Sequence, residues 1–145
     1  MLVNSENIEQ GEQCRSLTAP DYLWIRASYV FVDVYQPMTN TSRILVQQRS
    51  KLKDYAPGCF MLATGGTFSP GEQKLENAFR ELEEETGLTV YDDCDTASND
   101  KWIDAGWLNY VDPQSRVWAS LYILRTTKAR FDAQLRLQAE EVEDA

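Results

Sequence analysis

The chain has 145 residues, of which 43% are hydrophobic, enough for one globular domain with a real core and too few for two comfortable ones. Its formal net charge of −9 argues against a basic nucleic-acid-binding surface, so no nucleic-acid polymer is expected as a partner. It contains no histidine, which excludes a Ser-His-Asp or Cys-His nucleophile system and every His-ligated metal site.

The amino terminus lacks the basic start and apolar stretch of a secretory signal. The longest apolar run, around Tyr29–Val34, is far too short to span a membrane. Three cysteines, Cys14, Cys59 and Cys94, fall at irregular spacing and suit a reduced, cytosol-like compartment. A cytoplasmic protein without a membrane partner is therefore expected.

Residues 27–35 are β-branched and aromatic and read as a buried strand. After a turn at 38–42, residues 43–48 read as the returning strand of a hairpin. A polar loop at 49–58 closes on Pro57–Gly58. Residues 59–64 read as a short apolar strand that runs into Gly65–Gly66, with Cys59 buried in it.

A helix follows. Ser69 is placed to cap it, Pro70 suits its first position, and Glu72 lies three residues after Ser69, completing a capping box. Gly87 suits the left-handed residue at the far end. Leu75, Ala78, Phe79 and Leu82 fall at i, i+3, i+4 and i+7 and predict the stripe that packs on the sheet.

With Leu75 set at 0°, Glu81, Glu84 and Glu85 fall near ~240°, ~180° and ~280° on one side of an ideal helix, while Glu76 and Glu83 fall near ~100° and ~80°. Arg80 can reach Glu84 at i+4 and Glu76 at i−4. The three convergent acids are either an ordinary solvated face or oxygen ligands of the kind that Mg²⁺ or Mn²⁺ prefers.

Residues 92–101 read as a surface loop. Residues 102–111 and 116–125 flank a turn at 112–115 and read as a second hairpin. The tail is acidic. The order of elements predicts an α/β (α+β) domain, a mixed sheet covered by helices. Trp24, Trp102, Trp107 and Trp118 either include a base-stacking platform or pack in the core and sheet, the second being expected.

The segment from Gly66 to Leu88 resembles the Nudix box, G-x5-E-x7-R-E-U-x-E-E-x-G-U, where U is a bulky apolar residue. Gly66, Glu72, Arg80, Glu81, Leu82, Glu84, Glu85, Gly87 and Leu88 fill every defined position. The resemblance implies the Nudix fold, a mixed β-sheet sandwiched between α-helices, with residues 1–145 as a single domain and the box at 66–88. It implies metal-dependent hydrolysis of a diphosphate linkage in a nucleoside diphosphate derivative or related small molecule, with Mg²⁺ or Mn²⁺ as cofactor.

By the same resemblance, Glu84 and Glu85 look like metal ligands. Glu81 looks like a ligand or the base that activates water. Arg80 looks like the residue that orients the carboxylates, and Gly66 offers its backbone carbonyl. Glu72 is explained by the capping box alone. Metals held there also reconcile an acidic protein with an anionic substrate.

Residues 43–66 and 116–122 are similar to the isopentenyl diphosphate isomerase-like branch of the superfamily. That likeness makes Arg49 and Lys53 phosphate contacts, against the plainer reading of solvated loop cations. The isomerase chemistry itself is not expected, because it uses a cysteine just before the box helix and a histidine-rich metal site.

A downstream acid is common in the superfamily, and Glu140, Glu141 and Glu143 are in place for it, Glu141 by its Glu-Val context. The family pattern normally continues into a final strand and helix, so the chain is expected to be truncated or to carry a minimal lid. A fold-retaining binding module is the alternative function. The sequence leaves the substrate and the oligomeric state open, a homodimer included.

Overall fold

The computed structural model describes residues 1–11, 23–53, 55–90, 100–111, 115–138 and 142–144, with side chains up to 138. Two sheets and two helices form an α+β fold. The organising element is β3, Trp24–Gln36, longer at both ends than the strand the sequence predicts. On one edge it pairs in parallel with β9, Arg116–Thr127, from Ile25↔Val117 to Tyr35↔Thr127.

Its other edge is shared in turn by three short antiparallel strands: β1 (Leu2–Val3), β7 (Thr64–Thr67) and β4 (Thr41–Ile44). β2 (Glu9–Gly11) extends the sheet beyond β1, and β8 (Lys101–Val111) extends it beyond β9 as the expected second hairpin. Its turn at 112–114 and the loop at 91–99 lie outside the described residues.

The predicted strands at 43–48 and 59–64 both divide. After Ile44 the chain leaves the large sheet, and Gln47–Arg49 form β5 of a second sheet with β6 (Phe60–Met61) and β10 (Val142–Asp144). After Met61 the chain bends back and re-enters the large sheet as β7. Cys59 is therefore exposed just before β6, not buried as its apolar neighbours suggest.

Val30, Val32 and Val34 point to one face of β3, as period-2 alternation requires. With Tyr122 and Leu124 of β9 they pack against Ala78 and Leu82 of α1 (Lys74–Thr86) and Phe131 of α2 (Lys128–Gln134). Ala27, Val117 and Ala119 anchor a smaller cluster on the opposite face. A bulge between Asp104 and Gly106 shifts the alternation of β8.

α1 begins later than predicted. Gly71 adopts φ +73, a conformation no helix interior tolerates, so Ser69–Gly71 form a turn and Gln73 is the N-cap. Half of the predicted box forms inside that turn: the Ser69 N–H donates to the Glu72 carboxylate at 2.7 Å, while the Glu72 N–H donates to the Ser69 backbone carbonyl at 3.1 Å. The N-cap itself donates its N–H to Glu76 at 2.9 Å. The C-terminus matches expectation, with Gly87 at φ +73 donating to the Glu83 carbonyl.

The buried face of α1 is also rotated from the predicted stripe. Leu75 is exposed, whereas Asn77, Ala78, Leu82, Glu85 and Thr86 are buried. Asn77 accounts for part of this shift, since it accepts a hydrogen bond from Ser28 Oγ and donates to the Thr67 carbonyl at 3.0 Å.

The tryptophans pack among aromatic neighbours, as expected. Trp102 lies between Phe79 and Tyr122, with ring centroids 4.9 Å from each. Trp24 meets Trp118, and Trp107 meets Phe68.

Gly65 is the tightest point of the large sheet. A Cβ there would lie 2.0 Å from the Ser28 carbonyl oxygen and 2.8 Å from the Tyr29 ring. Gly65→Ala is expected to cost about 3 kcal/mol or more, lowering the thermal midpoint by roughly 10 °C. Gly71→Ala, left-handed but in open space, is expected to cost only about 1 kcal/mol. Calorimetric melting of both variants checks the contrast.

Candidate functional site: carboxylates over a glycine turn

The site lies where α1 crosses β7. Gly66 pairs with Ser28 and turns the same face toward the helix. A Cβ on Gly66 would fall 2.4–2.6 Å from both oxygens and the carboxyl carbon of Glu81. Glycine at 66 is thus the space in which the Glu81 carboxylate sits. One helical turn on, Glu85 accepts the Gly65 N–H at 3.2 Å and Gln47 Nε2–H at 2.7 Å, and it is buried.

Arg80 is the hub of the remaining acids. Its Nε donates to Glu72 at 2.8 Å, and its NH1 donates to Glu81 at 2.8 Å and to Glu84 at 3.1 Å. The pairing with Glu76 at i−4 does not form, because Glu76 is engaged with the N-cap. Glu72 takes its place and is more than a capping residue. It accepts from Arg80, Asn77 and Ser69 N–H at once.

Burial alone would raise the Glu72 carboxyl, but the bonds from Arg80, Ser69 and Asn77 hold it at about 2. Arg80 is correspondingly raised, first by its bond to Glu72. These two residues form a charged strut between the turn and the middle of the helix.

The acids differ in access. The Glu84 side chain is 49% exposed and that of Glu81 14% exposed. Among the described residues, no three Asp, Glu or Cys side chains converge as a complete metal cluster. The donors nevertheless suit a hard divalent cation. All are oxygens, and Mg²⁺ is held by one or two carboxylates while water and substrate phosphate fill its remaining positions. One buried oxygen of a residue that contacts Glu85, Gln47 Oε1, also lacks a hydrogen-bond partner among the described residues.

The other sequence candidates lie on the second sheet and its loop. Arg49 ends β5 and donates its Nε to the Tyr55 carbonyl at 2.7 Å. Lys53 is half-buried in the following loop. Close enough to Arg49 to feel its charge, Tyr29 shares a hydroxyl–hydroxyl bond of 2.7 Å with Tyr110. Burial, then the bond to Tyr110, raises the Tyr29 phenol, while the charge of Arg49 opposes the shift. Glu140 and Glu141 lie outside the described residues, as does the Glu143 side chain.

Sequence reasoning missed Gln47. Its only signal is a polar residue at the end of a predicted strand, just before a polar loop.

Comparison with known proteins places this arrangement. The NUDIX domain family profile matches residues 28–145. A protein named uncharacterized Nudix hydrolase YfcD, from Escherichia coli K12, is 31% identical over 121 residues, covering 83% of this chain and 59% of its own length. Uncharacterized Nudix hydrolase PA4841 from Pseudomonas aeruginosa is 34% identical over 106 residues, covering 73% of this chain and 54% of its own. This chain therefore spans little more than half the length of either.

Among solved structures, DR0079 from Deinococcus radiodurans superposes with a TM-score of 0.69 at 20% identity, covering 99% of this chain and 78% of that one. The NUDIX domain of Shewanella oneidensis NrtR, crystallised with ADP ribose, superposes with a TM-score of 0.63 at 14% identity, covering 83% and 70%. The fold is the one these domains share.

The strut between Glu72 and Arg80 makes a signed prediction. The folded-state value of Glu72, about 2, lies below its ordinary value of 4.5, so its contribution is complete above about pH 4.5 and is lost as pH falls toward 2. At about 1.4 kcal/mol per unit, that contribution is at most about 3.5 kcal/mol. Urea midpoints measured from pH 6 to 2.5 should fall more steeply for wild type than for Glu72→Gln. Parallel curves would remove Glu72 from the account.

Proposed function

We propose, from the premise that this chain belongs to the NUDIX domain family, that it hydrolyses a diphosphate linkage in a nucleoside diphosphate derivative or related small molecule, using Mg²⁺ or Mn²⁺. The observation that carries this reading is the Glu81 carboxylate seated over the Cβ-free Gly66, with Glu85 one helical turn away on the same face.

In this reading Glu81, Glu84, Glu85 and the Gly66 carbonyl hold the cation. When bound, it supplies an activated water and neutralises charge on the phosphoryl oxygens. Arg80 holds Glu81 and Glu84 at fixed spacing and is itself held by Glu72. In the other role open to it, Glu81 takes the proton from the attacking water instead of holding the cation. Arg49 and Lys53 grip the diphosphate, a role that the likeness of residues 43–66 to the isopentenyl diphosphate isomerase-like branch supports. Glu141 is the downstream acid. A hydrolase is favoured over an isomerase, because the chain has no histidine to build that metal site.

The test is phosphate or pyrophosphate release from a panel of nucleoside diphosphate derivatives with Mg²⁺ and Mn²⁺. The panel includes ADP-ribose, since a domain of the same fold holds that molecule. Turnover that disappears in chelator is expected. Glu84→Gln, at a half-exposed position, should lower kcat at least ~100-fold, equivalent to about 3 kcal/mol of barrier, with an unchanged thermal midpoint. Tight binding of a panel member in chelator without product would instead make the chain a binding module.

A further inference from the structure

The geometry points to Gln47 as a positioning residue that aims the Glu85 carboxylate at the cation site, an inference that rests on the function proposed above. Gln47 opens β5 and is 3% exposed, as is Glu85. Its Nε2–H and the Gly65 N–H both donate to Glu85 Oε2, at 2.7 and 3.2 Å. Two donors converging on one oxygen from different elements fix the rotation of the carboxyl plane, which a single donor would leave free. Both donors are neutral and act on the orientation of the carboxyl group, whereas the Arg80 guanidinium pairs with Glu81 and Glu84.

The amide at 47 has a second acceptor, the Ala63 carbonyl at 3.5 Å, but its shorter bond of 2.7 Å goes to Glu85. Its Oε1 is buried without a hydrogen-bond partner among the described residues, a cost that an apolar side chain of the same length would avoid. The orientation of the amide follows from its neighbour, since the reverse placement would set carbonyl oxygen against carboxylate.

The strand that carries Gln47 is anchored on both edges. It pairs with β6 at Gln47↔Met61 and Gln48↔Phe60, and with β10 at Val142↔Arg49 and Asp144↔Gln48. Arg49 stands two residues on, along the same face of the strand. The second sheet thus brings one side chain to Glu85 and presents another for the diphosphate.

Binding of Mn²⁺ alone to the full chain, followed by the loss of the free-ion EPR signal, tests this without any substrate. Gln47→Met should weaken Mn²⁺ binding about 10–100-fold, the range for groups that orient a metal ligand. Glu85→Gln should weaken it further. The double variant should bind as Glu85→Gln does, because Gln47 acts only through Glu85. A purely structural role would lower the melting temperature of the metal-free protein and leave the Mn²⁺ affinity unmoved.

Affinity of Gln47→Met within twofold of wild type, or a double variant weakened by the full product of the single effects, would overturn the assignment. If Gln47→Met does not fold, Gln47→Asn carries the same comparison, since it keeps an amide but withdraws it by one methylene. Wild-type protein that binds no Mn²⁺ overturns the proposed function along with this inference. Tight wild-type binding with an unaffected Gln47 variant overturns only the inference.

Discussion

The closeness of α1 to β7 is the constraint on which the site depends. Two consecutive glycines make room on opposite sides of β7, Gly65 for the backbone of β3 and Gly66 for a side chain of α1. At Gly66 the room is filled by a carboxylate, and at Gly65 the backbone N–H is left accessible to another. Asn77 fastens the same contact through Ser28 and the Thr67 carbonyl. The helix is therefore docked by polar bonds on the face that also carries Ala78 and Leu82, and the apolar and functional surfaces of α1 merge into one.

That docking leaves a concentration of negative charge to be managed. A chain with a net charge of −9 places Glu72, Glu81 and Glu84 around one guanidinium. Arg80 gives the cluster a shared counter-charge and a rigid spacing. A planar, always-charged group suits this better than an ammonium, because its fork of donors can address several carboxylates at once. Glu85 lies outside this arrangement in one respect. Its neutral donors come from Gln47 and Gly65, on the two different sheets. The acids thus divide between three that share the Arg80 guanidinium and one that neutral donors orient.

The second sheet gives this division a structural basis. One segment leaves the large sheet between Ile44 and Gln47 and returns to it between Met61 and Thr64. Each switch exchanges partners without leaving a long edge exposed. The result sets β5 across from the carboxyl end of α1, with Gln47 and Arg49 on one strand. A loop in the same place would have to be held by its own contacts, whereas a strand paired on both edges inherits its position from the sheet.

Much of this was legible in the sequence, for physical reasons that differ by element. The alternating run at 27–35, the hairpin at 102–125, Gly87 and the spacing from Gly66 to Leu88 all encode local geometry, and each appears in the structure. Local rules erred where a neighbour decided. Ser69 and Pro70 satisfy every condition for a helix start, yet the left-handed Gly71 moves that start to Gln73. Leu75 belongs to the apolar stripe by periodicity but lies in solvent, because the polar docking of Asn77 turns the helix. Cys59 follows the same logic, apolar by context and exposed once its strand joins a small sheet. What the sequence determined by itself was the family pattern and the absence of any histidine to ligate a metal. Only the tertiary structure decided that Arg80 is anchored by Glu72, that Glu81 occupies the space of a missing Cβ, and that Gln47 holds Glu85. Those contacts join residues 8 to 38 positions apart in the chain, and no helical or strand period extends that far.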